Sequence, residues 1–332
     1  MAPGATILGC LGPILAPDEA AFFRAADPWG FILFARNVET PDQLRRLTAD
    51  LRASVGRDAP ILVDQEGGRV QRLRAPHWRE WLPPLEQMAR GGARTMRLRY
   101  RLIAADLRAV GIDANCAPTL DIATQATHPF LRNRCYGTTL KPVVEAGRAV
   151  ADGLLAGGVL PVMKHMPGHG RAAGDTHHDL PTVPTDLDTL DASDFAAFRA
   201  LNDLPMAMTA HLVFSAVDPT APATLSAPMI RLIRDRIGFG GLLMTDDLSM
   251  QALSGSLADR AARAIAAGCD IVLHCNGKAW EMEEVVAASG HLAPEGVARA
   301  EAALAARHAP DVVDLEALAA EFEAVTCGQG DD

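Results

Sequence analysis

Apolar residues in this chain come in short, nearly unbroken runs separated by longer amphipathic stretches. The runs cover residues 5–11, 30–34, 60–63, 112–117, 159–163, 206–209, 241–245 and 270–273. They predict eight strands, and their continuity, in place of alternation, predicts strands covered on both faces within a parallel sheet.

Helical patterns fill the intervals, several with their own start and stop signals. Thr40-Pro41-Asp42-Gln43 reads as a capping box with proline at the first helical position. Leu44, Leu47, Leu51 and Val55 follow on one face, and Gly56 ends the pattern. A second helix opens at Ser226-Ala227-Pro228 and aligns Ile230, Ile233 and Ile237 before Gly238; a third spans 257–267 and stops at Gly268. Strands alternating with helices eight times predict an α/β fold, a (β/α)8 TIM-type barrel, with an open doubly wound sheet as the alternative. No linker, repeat or low-complexity segment divides residues 1–332, so one catalytic domain is expected, fraying from about residue 326.

Composition narrows the functional classes. With 332 residues and 49% apolar content, the chain is long enough to bury a large core. A net charge of -10 and scattered basic residues argue against a nucleic-acid surface. The six cysteines show no metal-ribbon spacing and read as reduced, mostly buried thiols, which favours the cytoplasm. Residues 1–10 are expected to form a buried strand in place of a leader, and no apolar run approaches the ~20 residues of a membrane span.

Polar side chains gather just beyond the apolar runs. Arg36-Asn37 follows the second, Asp64 to Arg72 the third, Asp121 and Arg134 the fourth, Lys164-His165 the fifth, His211 the sixth and Asp246-Asp247 the seventh. In a barrel these positions meet on one face, where βα loops build active sites. Four of the ten histidines lie within 165–178, on a segment broken by Pro167, Gly168, Gly170 and Gly174 that is expected to leave a strand and become a loop. Asp175-Thr176-His177 pairs a carboxylate with an imidazole and suits an acid/base dyad. Asp246, first after its run, suits a carboxylate nucleophile, and Asp247 suits the cap of a following helix. Asp64, Arg72, Arg134, Lys164 and His165 offer the mixed donors and acceptors that sugar hydroxyls require.

Taken together, residues 33–37, 64–72, 164–170, 175–177 with Pro181, and 245–250 resemble the single-domain β-N-acetylhexosaminidases of glycoside hydrolase family 3. The resemblance implies a (β/α)8 barrel that removes non-reducing terminal N-acetylglucosamine from muropeptides during cell-wall recycling. It implies Asp246 as nucleophile, His177 with Asp175 as acid/base, and Asp64, Arg72, Arg134, Lys164 and His165 as sugar-binding positions. It further implies a cytoplasmic monomer that needs no cofactor or metal and has a small saccharide as its partner, with neither nucleic acid nor membrane involved. Met166 departs from a usual phenylalanine and His178 doubles the catalytic histidine. The main alternative is a metal-dependent barrel hydrolase that draws ligands from His165, His169, Asp175, His177, His178 and Asp179. A sugar-binding scaffold without catalysis is a further one.

Overall fold

The computed structural model describes residues 2–172 and 180–328. All eight apolar runs form strands: β1 Gly4–Gly9, β2 Pro28–Leu33, β3 Ile61–Val63, β4 Ala114–Asn115, β5 Leu160–Met166, β6 Met206–Thr209, β7 Leu242–Asp247 and β8 Ile271–His274. Each pairs in parallel with its neighbours, and β1 meets both β2, with Leu8 opposite Phe31, and β8, with Leu8 opposite His274. The sheet is therefore a closed (β/α)8 barrel, and the open-sheet alternative falls because no edge is left unpaired.

The continuous apolar runs are explained by two separate cores. Ile7, Ile32, Leu62, Val162, Met206 and Leu242 belong to one cluster, the barrel interior. Leu8, Phe31, Ile61, Met163, Ala207 and Leu243, adjacent to them in sequence, belong to the layer between barrel and helices. Successive strand residues point to opposite faces, so both faces of each strand must be apolar.

Strand limits move where side chains take over backbone bonds. The run 112–117 contributes only two strand residues, because Asp113 Oδ1 accepts the Ile61 N–H at 2.7 Å and Asn115 Oδ1 accepts the Gln65 N–H at 3.0 Å. β5 and β7 extend past their apolar runs to include Lys164 and His165 in one case, Asp246 and Asp247 in the other. The two latter pairs thus stand on strand ends, which hold a side chain more rigidly than a loop does.

Helices obey their signals with one adjustment. In Pro41–Val55, Thr40 Oγ1 accepts from Gln43 N, but the Gln43 side chain returns to Glu39 N at 2.9 Å and not to Thr40. Gly56 closes that helix at φ 65°. Leu257–Ala267 carries a full capping box from Ser256 and Asp259 and ends at Gly268. Ile230, Ile233 and Ile237 are buried as expected, although the helix widens into a π-turn over Ile233–Ile237. The last helix, Leu315–Cys327, includes Thr326, whose Oγ1 accepts from Gln87 Nε2 at 3.3 Å, so ordered structure enters the segment where fraying is expected.

Five cysteines are buried and all six are free thiols, as read from their spacing. Met166 is fully buried in the layer outside the barrel and fills an apolar place there. Among the described residues no helix is long and apolar enough to cross a membrane.

Candidate active site

The carboxyl ends of the strands surround a cavity of about 430 Å³. Asp64, Arg72, Arg134, Lys164, His165 and Asp246 all line it, so six of the eight residues singled out in the sequence meet in one place. The other two, Asp175 and His177, lie outside the described residues, as do His178 and Asp179.

Lys164 organises one wall. The strand register of β5 against β6 shifts between Met163 and Met166, and Lys164 and His165, although consecutive, both face the cavity. The peptide bond between them is cis. Lys164 Nζ donates to Asp64 Oδ1 at 2.8 Å and lies 2.6 Å from Glu66 Oε1. Arg72 Nη2 donates to the other Asp64 oxygen at 3.0 Å. Arg134 grips Glu66 with two parallel bonds, Nε to Oε2 at 2.9 Å and Nη2 to Oε1 at 2.8 Å, the planar fork geometry that suits a carboxylate.

Burial alone would raise the carboxyls of Asp64 and Glu66, but the charges around them outweigh it. Lys164 and Arg72 hold Asp64, and Arg134 and Lys164 hold Glu66, well below the usual carboxylate range. Both are anions at any working pH, and the three cations beside them are correspondingly fixed in place.

His165 is oriented from below. Its Nδ1 donates to Asp121 Oδ2 at 2.7 Å, while Asp121 Oδ1 accepts the backbone N–H groups of His165 and His169. Nδ1 being engaged, Nε2 is left near the cavity, 3.4 Å from Arg134 Nη2. A buried carboxylate that fixes a ring in this way sets its tautomer and direction.

Asp246 ends β7. Its Oδ1 accepts the Asp247 N–H at 2.8 Å. Burial would raise its carboxyl, but His211 and His165, then the Asp247 N–H, and lastly Lys164 outweigh that and hold it below the usual range. Asp246 is therefore ionised, the state a nucleophile needs.

Asp247 does not cap a helix. The next helix starts ten residues later at Leu257, and the Asp247 carboxylate instead accepts from Ser249 N and Cys275 N through Oδ1 and from Ser249 Oγ through Oδ2. It ties the end of β7 to the end of β8. Arg36 and Asn37 have a similar structural task, since both donate to Cys10 O and so clasp the ends of β1 and β2.

Glu66, Asp121 and His211 belong to the polar groups that follow the apolar runs, but no site role was assigned to them, because sequence does not show which cation or backbone atom each faces. Among the described residues no group of three or more His, Cys, Asp or Glu is arranged to hold a metal ion, and half or more of the ligand pool of the metal-hydrolase alternative falls outside them.

Comparison with known proteins places this arrangement. The model of the glycosyl hydrolase family 3 N terminal domain matches residues 26–305. A β-hexosaminidase of Methylococcus capsulatus is 37% identical over 321 residues, 94% of each chain, and one of Alkalilimnicola ehrlichii is 36% identical over 345 aligned residues, 99% of this chain and 97% of that one. Among solved structures, native NagZ from Neisseria gonorrhoeae superposes with a TM-score of 0.84 at 30% identity, over 98% of this chain and 96% of that one. A family 3 β-N-acetylglucosaminidase from Paenibacillus gives 0.86 at 30% identity, over 97% of this chain and 67% of its own. The family match spans most of the sequence and its relatives nearly all of it, and the chain therefore belongs to glycosyl hydrolase family 3 and is a glycoside hydrolase.

Proposed function

We propose that this protein is a retaining β-N-acetylhexosaminidase that removes non-reducing terminal N-acetylglucosamine from peptidoglycan fragments, in the cytoplasm and as a monomer, during cell-wall recycling. The observation that carries the reading is the convergence of an ionised Asp246 with Asp64, Arg72, Arg134, Lys164 and His165 around one cavity of about 430 Å³. That volume lies toward the small end of ligand sites and suits a single substituted sugar ring. The relatives' names point the same way, and another NagZ structure from Neisseria gonorrhoeae holds N-trifluoroacetyl-D-glucosamine.

The chemistry follows from the side chains. Each Asp64 oxygen already accepts one bond, from Lys164 or Arg72, and keeps a second acceptor direction for a sugar hydroxyl. Lys164, which it shares with Glu66, and the flanking Arg72 and Arg134 supply donors to ring hydroxyls on the same wall. Asp246 then attacks the anomeric carbon as the leaving oxygen takes a proton from His177, the acid/base for which Asp175 is the proposed dyad partner. The C1–O bond to the leaving group breaks as the C1–Oδ bond to Asp246 forms. In the second step His177 removes a proton from water, which displaces Asp246 and leaves the sugar with its original β configuration. One histidine serves as acid and then base.

Turnover of an aryl β-N-acetylglucosaminide tests the reading. Asp246→Ala is expected to lose essentially all activity, and wild-type rates in that variant would overturn the assignment. His177→Ala is expected to spare substrates with good leaving groups and to impair natural disaccharides much more. Equal losses on both would remove His177 from the acid role.

A further inference from the structure

His211 follows β6 and is fully buried, yet it does not line the cavity. Its ring spans two elements. Nδ1 lies 2.8 Å from Thr224 Oγ1, and Nε2 lies 3.0 Å from the carbonyl oxygen of Asp247. A carbonyl only accepts, so Nε2 carries the hydrogen and donates. Thr224 is itself held, with its hydroxyl 3.0 Å from Ala210 O and 2.8 Å from Thr209 Oγ1, so the ring is braced from behind.

Asp247 is the residue whose N–H supports Asp246 Oδ1. Its carboxylate is anchored to Ser249 and to Cys275 beyond β8. Its carbonyl is anchored to His211 beyond β6. Held on both sides, the Asp247 backbone has little freedom to turn, and the N–H it presents to Asp246 keeps its direction.

We infer that His211 is a positioning residue for the nucleophile: it fixes the Asp247 carbonyl and, through that backbone, the N–H that orients the Asp246 carboxylate. The inference rests on reading Asp246 as the nucleophile. Electrostatics agree with the geometry, since burial raises the Asp246 carboxyl and the His211 ring is the largest of the influences that lower it. A misdirected nucleophile loses rate more than substrate affinity, because the sugar is held by the β3 and β5 wall while the reacting oxygen is held by β7.

The test compares His211→Gln, which keeps an N–H donor at nearly the same reach, with His211→Leu, which removes it. His211→Leu is expected to lower kcat on an aryl β-N-acetylglucosaminide by about 100-fold, with KM within about twofold and the inhibition constant of free N-acetylglucosamine unchanged. His211→Gln is expected to recover most of the lost rate. Thr224→Val, which removes the brace at Nδ1 and leaves the Nε2 donor in place, is expected to fall between them. Equal losses in the Gln and Leu variants, a change confined to KM, or a wild-type kcat in His211→Leu would each overturn the inference. If His211→Leu does not fold, the Gln and Thr224→Val rates decide it, because a kcat loss in Thr224→Val larger than in His211→Gln is required. Asp246→Ala run in parallel separates the two claims: activity there sinks the nucleophile assignment, whereas an inactive Asp246→Ala beside a fully active His211→Leu sinks only the role of His211.

Discussion

Replacing Glu66 by glutamine keeps the shape of the side chain and removes one negative charge from beneath the cavity. Glu66 is 1% exposed and meets two cations at three points: Arg134 Nε at 2.9 Å, Arg134 Nη2 at 2.8 Å and Lys164 Nζ at 2.6 Å. In the variant the amide oxygen can still accept from Lys164 and Arg134 Nη2, but the amide NH2 then faces Arg134 Nε, donor against donor. Removing one partner of a buried ion pair costs about 3–5 kcal/mol. Asp64 still holds Lys164, so the lower end applies, about 3 kcal/mol. For a chain of 332 residues that corresponds to a melting temperature lower by roughly 4 °C. Because Arg134 loses half of its fork, KM for an aryl β-N-acetylglucosaminide should rise by about tenfold with a smaller change in kcat. Urea unfolding followed by circular dichroism, together with steady-state kinetics, reads both effects. A loss below about 1 kcal/mol with unchanged KM would refute the claim that Glu66 fixes the cations of the sugar wall.

Two further predictions concern stability. Burial and the neighbouring His165 push His169 down to about 4 from an unfolded value of 6.5, so between those limits the unfolded chain binds a proton that the native state does not. Its contribution is therefore complete above pH 6.5 and is lost as the pH falls through 4, amounting to about 3 kcal/mol over the window. Chemical denaturation from pH 7 to 4 should show a slope that flattens in His169→Gln, and an unchanged slope would count against it. Gly67 sits at φ 102°, and a Cβ there would lie 1.7 Å from Arg99 Nη2 and 2.8 Å from Leu82 O. Gly67→Ala should then displace the buried Arg99 that bonds Glu66 O and cost about 2–3 kcal/mol in urea unfolding; a neutral substitution would show that the loop can shift without consequence.

The fold was legible because parallel barrel strands are apolar on both faces and interrupt amphipathic helices sharply. Closure was expected from the eightfold alternation, but the pairing that achieves it, Leu8 with His274, joins residues at opposite ends of the chain and leaves no local trace. Strand ends were misread where polar residues belong to the ladder: Asp246 and Asp247 look like a helix start after an apolar run, yet β7 continues through them and the helix waits until Leu257. At the site, the residues that face the cavity stood out because they follow the apolar runs. Those that act underneath follow the same runs, but their roles did not show, because Glu66 and Asp121 gain their meaning from Arg134, Lys164 and His165, which lie tens of residues away in sequence. His211 is the same case, with its partner Asp247 contributed by the next strand.

The central claim, that Asp246 forms the covalent bond to the sugar, is tested most directly by trapping. A fluorinated N-acetylglucosamine analogue that slows release of the glycosyl-enzyme should label the chain once, and peptide mass spectrometry should place the label on Asp246. A label on any other residue, or inactivation with no label at all, would contradict the account.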